Sequence, residues 1–262
     1  MATDYSVDTM KICGTDVKKA IVITPTTGSP ELIDAINSVK EQFLDVDHLI
    51  VVDGKEYSER TDETLKQGNI DKDSIIRIDL PFNTGKNGFY GHRVMAAFGH
   101  LINHEYVLFL DQDNFYDPEH IDRLVTLIEN NNYDWAYSLR EIVDSNGDYV
   151  DLDECESLGR WPTWVDPNSH LIDTSSYCFK TSFFRQVCHL WDFGWGADRR
   201  FYTILKDHLK HDNYGCTGNH SLNYRLGGNE GSVTKEFFEH GNKVMYDKYK
   251  ERDNFPWLKQ SS

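Results

Sequence analysis

Short apolar runs alternate with helix-like stretches along the first half of the chain, and this alternation strongly limits the possible folds. The four runs at residues 20–24, 48–52, 74–80 and 106–110 are expected to form strands, and the first two have the apolar, β-branched composition of buried strands. The segments between them carry apolar residues at helical spacing, one of them with Pro30 near its start. Strands that alternate with helices indicate βαβ units. We therefore expect an α/β, Rossmann-like fold with a mostly parallel central sheet flanked by helices.

The second half of the chain is less regular. Strands are expected at residues 135–143 and 176–179, and the turn residues at 145–148 favour a hairpin after the first of these strands. Three further helices are expected, at residues 183–190, from about 198 to 209, and at 235–249. We therefore expect the sheet to continue into a smaller, less regular subregion.

The charge of the chain excludes some classes of partner. The 262 residues contain 27 Lys and Arg against 43 Asp and Glu, which gives a net charge of −16. So acidic a chain suits neither a nucleic acid backbone nor an anionic membrane surface. We see no apolar stretch that could span a bilayer and no secretory signal, and we expect a cytoplasmic protein. Five cysteines without CxxC spacing indicate reduced thiols.

Two carboxylates follow the fourth apolar run, at Asp111 and Asp113, with Gln112 between them. In a parallel sheet, ligands bind at the carboxyl ends of the strands, and this is where these side chains lie. Carboxylate oxygens are ligands that Mn²⁺ or Mg²⁺ accepts together with phosphate oxygens. Asp53 ends the second apolar run at the same edge. The alternatives are a solvated acidic turn for the triplet and an ordinary Asp-Gly turn for Asp53.

A glycine-rich loop at residues 83–91 precedes a helix that begins near Arg93. It has neither the spacing of a P-loop nor that of a dinucleotide fingerprint. Its backbone N–H groups, at Asn83 and Gly85 among others, and the following helix could still lie against a diphosphate. The alternative is a surface loop. Further along, Arg225 and Ser232 could cover a diphosphate with guanidinium and hydroxyl donors.

Asp198 follows Trp195 at the start of a predicted helix. A carboxylate there, partly shielded by aromatic side chains, could act as a general base for an acceptor hydroxyl. The alternative is a helix N-cap. We expect acceptor selection in the aromatic segments of the second half, and core packing is the alternative. The candidate acceptor contacts are Trp161, Trp164, Trp191 and Trp195. His220 could complete a cation site with Asp113, although a lone histidine can equally be structural.

Taken in order, these features resemble the GT-A fold glycosyltransferases, most closely those of family two. The resemblance covers about residues 18–232. It implies that Asp53 binds the base, that Asp111 lies near the ribose, and that Asp113 ligates Mn²⁺ or Mg²⁺ on the donor diphosphate. It also implies that Asp198 is the catalytic base of an inverting transfer. The other nucleotide contacts expected are Thr24, Pro25, Thr26, Asn83, Gly85, Arg93, Gln112, Arg225 and Ser232.

The resemblance also suggests how the chain is organised. We expect one GT-A domain over residues 1–262, with a nucleotide-sugar half at about 18–135 and an acceptor half at about 136–232. Residues 233–262 would form a C-terminal helix and tail. The expected partners are a nucleoside-diphosphate sugar, with uridine favoured, and a glycan or another hydroxyl acceptor. The absence of a membrane segment after the domain suggests an enzyme that adds one sugar.

Two other functions compete with this interpretation. A sugar-1-phosphate nucleotidyltransferase shares the sheet plan, but it carries a glycine-rich, basic loop after the first strand. Residues 24–30 contain only Gly28 and no basic residue, which counts against that enzyme. The second competitor is a carbohydrate- or nucleotide-binding module without catalysis, in which the aromatic residues serve as platforms for sugar rings.

Overall fold

The computed structural model describes residues 17–228 and 233–259. Within these ranges the strands are β1 (Ala20–Thr26), β2 (Asp47–Val52), β3 (Ile76–Asp79), β4 (Tyr106–Phe109), β5 (Phe115–Tyr116), β6 (Trp135–Val143), β7 (Tyr149–Leu152), β8 (Tyr177–Lys180) and β9 (Tyr214–Arg225). The α-helices are α1 (Leu32–Lys40), α2 (Ser58–Gln67), α3 (His92–Phe98), α4 (His120–Asn131), α5 (Thr181–Val187), α6 (Ala197–Thr203) and α7 (Lys235–Tyr249). No helix in the described ranges is both long enough and apolar enough to cross a bilayer.

The first four strands form the parallel part of the sheet, in the order β3-β2-β1-β4. The predicted apolar runs lie in these strands, and β1 and β4 are buried along their whole length. Because β2, β1 and β4 are parallel neighbours, their carboxyl ends meet at one edge. That edge brings together Thr26, Asp53 and Asp111.

The remaining strands extend the sheet in mixed directions. β8 pairs antiparallel with β4 and with β6, β9 lies parallel to β6, and β5 and β7 form short antiparallel additions. Most of the paired residues stand in parallel ladders, so the expected α/β fold with a mostly parallel sheet is confirmed. The hairpin turn between β6 and β7 is also confirmed, with Gly147 at φ 89°. The helix expected at about 198–209 consists of α6 and a π-helical turn at Ile204–His208.

One aromatic core joins the two halves of the chain. Trp135 of β6 stacks on Tyr214 of β9, with ring centroids 4.0 Å apart, and meets Tyr177 at 5.5 Å. The same cluster contains Ile21 from β1 and Trp257 from the C-terminal segment. Side chains from both ends of the described chain therefore share one core. The four cysteines in the described ranges are buried and free.

Candidate active site

A cavity of about 600 Å³ opens at the carboxyl edge of β1, β2 and β4. The nucleotide and metal contacts expected from the sequence meet largely in this first cavity. Those that line it are Pro25, Thr26, Asp53, Asn83, Gly85, Asp111, Gln112, Asp113 and Arg225. Side chains that are distant along the chain thus share one concave surface, as the topology of a parallel sheet requires.

Residues Asp111, Gln112 and Asp113 form what we call the aspartate triplet, and Gln112 ties it to the end of β1. Its side-chain oxygen accepts hydrogen bonds from the Thr26 hydroxyl at 2.6 Å and from the backbone N–H groups of Thr27 at 3.1 Å and Ser29 at 3.3 Å. Because the amide is held by three donors, the residues on either side of it are oriented by the loop after β1. The sequence suggests a ligand contact for Gln112, and the structure shows this additional positioning role.

Asp53 holds the glycine-rich loop at residues 83–91 against the end of β2. Its carboxylate accepts hydrogen bonds from the Thr84 N–H at 2.7 Å, the Thr84 hydroxyl at 2.8 Å and the Gly85 N–H at 2.8 Å. A Cβ atom at Gly85 would lie 2.3 Å from the carbonyl oxygen of Tyr90, so only glycine fits there. The loop is therefore fixed as one wall of the first cavity.

A second cavity, of about 510 Å³, adjoins the first. Asp198, Trp195, Asp173 and His92 are among its lining residues. The residues shared by both cavities are Tyr90, Asp111, Asp113, Arg225 and Gly228. A ligand that extends from the first cavity into the second must therefore pass the aspartate triplet.

Four carboxylates influence one another around the second cavity. Burial raises the pKa of Asp111 well above its usual range, and the charges of Asp113, Asp173 and Asp198 raise it further. Burial, followed by the charge of Asp173, likewise raises the pKa of Asp113 and of Asp198. The backbone N–H of Arg199 donates to the Asp198 carboxylate at 2.7 Å and opposes part of that shift. The cavity thus favours a bound cation, or a proton, beside these acids.

Arg225 anchors the triplet from the other side of the cavity. Its Nε donates to the Asp113 carbonyl oxygen at 2.9 Å, and its other nitrogens donate to the Ser145 carbonyl oxygen at 3.0 Å and the Asp34 carboxylate at 2.6 Å. The side chain is nearly inaccessible to solvent. Because all three of its nitrogens are engaged, Arg225 positions the loop at Asp113 and also lines both cavities.

The donor set at the aspartate triplet determines which cation it fits. In residues 17–228 and 233–259, no three His, Cys, Asp or Glu side chains converge on a preformed metal centre. Asp111 and Asp113 are nevertheless two oxygen donors whose mutual repulsion a cation would relieve. Mg²⁺ is commonly bound by one or two carboxylates plus substrate phosphates. The pair therefore fits a cation whose coordination is completed by a bound diphosphate.

A buried arginine in the wall of the second cavity was missed by the sequence reasoning. Arg140 of β6 donates to Asp153 at 2.7 Å, to Asp173 at 2.7 Å and to Glu156 at 3.2 Å, and it lies 4.3 Å over the Tyr224 ring. The charge of Arg140 offsets the burial of Asp153, whose pKa is lowered. The sequence feature that indicates it is a charged residue inside an apolar strand. A buried charge requires partners, so such a residue predicts acids close to it.

Three residues expected at the site have other partners. The Thr24 hydroxyl lies 2.8 Å from Nε2 of His48 inside the sheet. Arg93 forms an ion pair with Asp192 at 3.0 Å. His220 lies on β9, and its ring faces Glu154 at 3.5 Å, so the structure does not bring it to Asp113. Ser232 lies outside the described residues.

Three of the four candidate tryptophans pack against the hydrophobic core, one fully and two partly buried. Trp191 is fully buried and stacks on Phe201, with ring centroids 4.4 Å apart. Trp161 packs against Trp257 in the C-terminal segment. Trp164 packs against two residues of α7, Phe237 at 5.3 Å and His240 at 5.0 Å. Trp195 alone among the four lines the second cavity, and it is 79% exposed.

Several solved structures share the fold of the chain. S. aureus TarS, residues 1–349, matches with a TM-score of 0.56 and 16% sequence identity, covering 79% of this chain and 60% of that one. The complex of that fragment with UDP-GlcNAc matches with a TM-score of 0.55, 16% identity and coverage of 86% and 65%. The chain thus spans less than two thirds of the TarS fragment. The expected GT-A fold is confirmed.

A further match is the mannosyltransferase PcManGT from Pyrobaculum calidifontis, in complex with GDP-Man and Mn²⁺. It has a TM-score of 0.50 and 12% identity, and the match covers 76% of this chain and 55% of that one. Comparison with curated protein sequences finds no significant match. The family model for glycosyl transferase family 2 matches residues 21–190, which is more than half of the sequence, and the chain therefore belongs to glycosyl transferase family 2.

Proposed function

We propose that this protein transfers one sugar from a nucleoside-diphosphate donor to an acceptor hydroxyl, with inversion at the anomeric carbon. One observation carries the proposal. The aspartate triplet lies on the wall shared by two adjoining cavities, and Asp198 lies in the second of them. A donor that spans both cavities would place its diphosphate at the triplet and its sugar near Asp198. Membership in glycosyl transferase family 2 supports the same activity.

The nucleoside part of the donor belongs in the first cavity. Asp53 would meet the base with the lone pairs that remain beside its hydrogen bonds to the glycine-rich loop, and Thr26 would lie along the nucleotide. Structural neighbours have been solved with UDP, UDP-GlcNAc and GDP-Man. They support a nucleotide-sugar donor, and from the resemblance we favour uridine.

Asp113, with Asp111 beside it, would hold Mn²⁺ or Mg²⁺. The cation would neutralise the negative charge that grows on the departing diphosphate. The Mn²⁺ bound in the PcManGT complex supports divalent metal use. Arg225, through its bond to the Asp113 carbonyl oxygen, would keep the triplet in place while the donor binds.

Asp198 would act as the general base. Its carboxylate removes the proton from the acceptor hydroxyl as that oxygen attacks the anomeric carbon of the donor sugar. The bond from that carbon to the diphosphate oxygen breaks on the opposite face, and the nucleoside diphosphate leaves with the electron pair. Burial raises the pKa of Asp198, which strengthens the carboxylate as a base, and the Arg199 N–H fixes its orientation.

A panel of nucleoside diphosphates tests the donor site. We expect UDP with Mn²⁺ to raise the melting temperature, and UDP alone to raise it far less, because the repulsion around Asp111 opposes an uncompensated diphosphate. When the free nucleotide concentration is one hundred times its dissociation constant, the folded state gains about 2.7 kcal/mol of stability. That is roughly 5–10 °C in melting temperature for a chain of this size. The measurement is thermal unfolding with UDP, dTDP, GDP, CDP and ADP, each with and without Mn²⁺.

Asp113→Asn is the matched variant for this panel. It keeps the size of the side chain and removes the charge, so we expect the Mn²⁺-dependent part of the shift to disappear. Asp166→Asn, outside both cavities, should retain that part. An undiminished metal response in Asp113→Asn would place the cation elsewhere. Hydrolysis of the donor that the panel selects then separates an enzyme from a binding module.

A further inference from the structure

A groove of about 870 Å³ continues from the second cavity across Trp195. Trp195, Gly196 and Arg199 line both the cavity and the groove. A Cβ atom at Gly196 would meet nothing within 4 Å, so the chain leaves the passage between them open. The groove is therefore an extension of the space beside Asp198.

The groove has two walls, which a hydrogen bond from Arg199 joins. One wall is the loop at residues 166–170, where the Ser169 N–H donates to the Asp166 carbonyl oxygen at 3.0 Å. Arg199 joins the walls, since its Nη1 donates to the Ser169 hydroxyl at 2.6 Å. The other wall is a face of α6 and the π-helical turn, with Arg200, Thr203, Ile204 and His208. From Arg200 to His208 this helical wall runs for about 12 Å, which is longer than a single sugar ring.

The lining of the groove suits sugar hydroxyl groups. Arg200 and Arg199 offer N–H donors, and Asp166 and Asn168 offer oxygen acceptors, so the groove presents both kinds of partner to a group that both donates and accepts. Trp195 adds a broad apolar ring that is 79% exposed. Such a ring can cover the apolar face of a sugar while the polar atoms around it bind the hydroxyls.

We propose that the groove binds the second and following units of a glycan acceptor, so that the substrate class is an oligosaccharide of at least two units. This rests on the proposed function, because the first unit shares the second cavity with the donor sugar and places its hydroxyl at Asp198. The next unit stacks on Trp195, and the chain continues along Arg200 and Thr203. The groove thereby selects acceptors by length.

Acceptor length is the variable to test. The probes are the mono-, di- and tetrasaccharides of glucose, galactose, mannose and N-acetylglucosamine, with the donor that the nucleotide panel selects. We expect kcat/KM to rise about tenfold or more from the monosaccharide to the disaccharide of the preferred series. Trp195→Ala and Thr203→Trp, which remove the platform and fill the groove, should bring that ratio close to one. The matched control is Tyr149→Ala, another exposed aromatic outside the groove, which should keep the ratio.

The possible outcomes distinguish a failure of the groove proposal from a failure of the proposed transferase function. Equal use of mono- and disaccharides by the wild type would overturn the groove proposal, and so would a length preference that survives both groove variants. Donor hydrolysis without transfer to a sugar of any length would also overturn it. A protein that neither binds a nucleoside diphosphate nor hydrolyses a donor would instead contradict the proposed function. Melting temperatures of the variants show that each one is folded.

Discussion

Replacing Asp198 by asparagine lowers the rate of sugar transfer by roughly 10²–10⁴-fold, the contribution expected of a general base. The amide keeps the shape of the side chain but cannot take the proton of the acceptor hydroxyl. Nucleotide binding should remain close to that of the wild type, because Asp198 does not line the first cavity. The measurement is kcat/KM for transfer, together with the UDP-induced rise in melting temperature for the same variant.

The pH dependence of the wild type provides an independent check. Only the ionised carboxylate can accept a proton, so transfer falls as the pH drops through the pKa of Asp198. Burial raises that pKa, so the fall in rate at low pH, the acidic limb of the pH–rate profile, should lie above the usual pKa range of an aspartate. Asp198→Asn should lack the part of this limb that Asp198 contributes, while the part from Asp111 and Asp113, whose pKa values burial also raises, remains. The control is Asp192→Asn, which removes an exposed carboxylate from the loop before α6. It should retain both the rate and the limb. Equal loss of transfer and nucleotide binding in Asp198→Asn would reject the role of base.

Replacing Arg140 by methionine lowers the free energy of unfolding by about 3–5 kcal/mol, because it leaves buried carboxylates without their counter-charge. Asp153 and Asp173 are inaccessible or nearly so. Water therefore cannot screen their negative charges. Methionine fills a similar volume, so the loss reflects mainly the unpaired acids. The measurement is urea unfolding of the wild type and the variant.

Arg77→Met is the matched control for this experiment. Arg77 also pairs with two carboxylates, those of Asp62 and Asp79, but all three side chains are partly exposed. Exposed ion pairs contribute only about 0–1 kcal/mol, so this variant should unfold almost as the wild type does. A loss for Arg140→Met no larger than that of Arg77→Met would show that the buried network adds no stability beyond that of a surface pair.

The parallel half of the sheet is readable from the sequence because its determinants are local. Each buried strand there is a continuous apolar run, and the ligand-facing residues, such as Asp53 and Asp111, come directly after such runs. Neighbouring parallel strands then bring these residues together without further information. The same reasoning places Asp198 at the start of a helix, since a glycine and an acid follow the aromatic segment.

The second half depends on contacts that no local pattern encodes. Tryptophan suits a sugar platform and a protein core equally well, and only the fold shows that Trp191 lies under Phe201 while Trp195 reaches solvent. His220 illustrates the same limit, since its partner Glu154 is distant along the chain. Arg140 could have been noticed as a charge in an apolar strand, but its three acids come from a later, irregular segment.

The hydrogen bonds of Asp53 to Thr84 and Gly85 have a consequence for affinity. A loop that is ordered only when its ligand arrives subtracts its lost conformational entropy from the binding free energy. Here the glycine-rich loop is already pinned to the end of β2, and the close approach at Gly85 leaves it little room to shift. The entropic cost of shaping this wall of the first cavity is therefore met during folding, and a ligand of the first cavity would meet a preorganised surface.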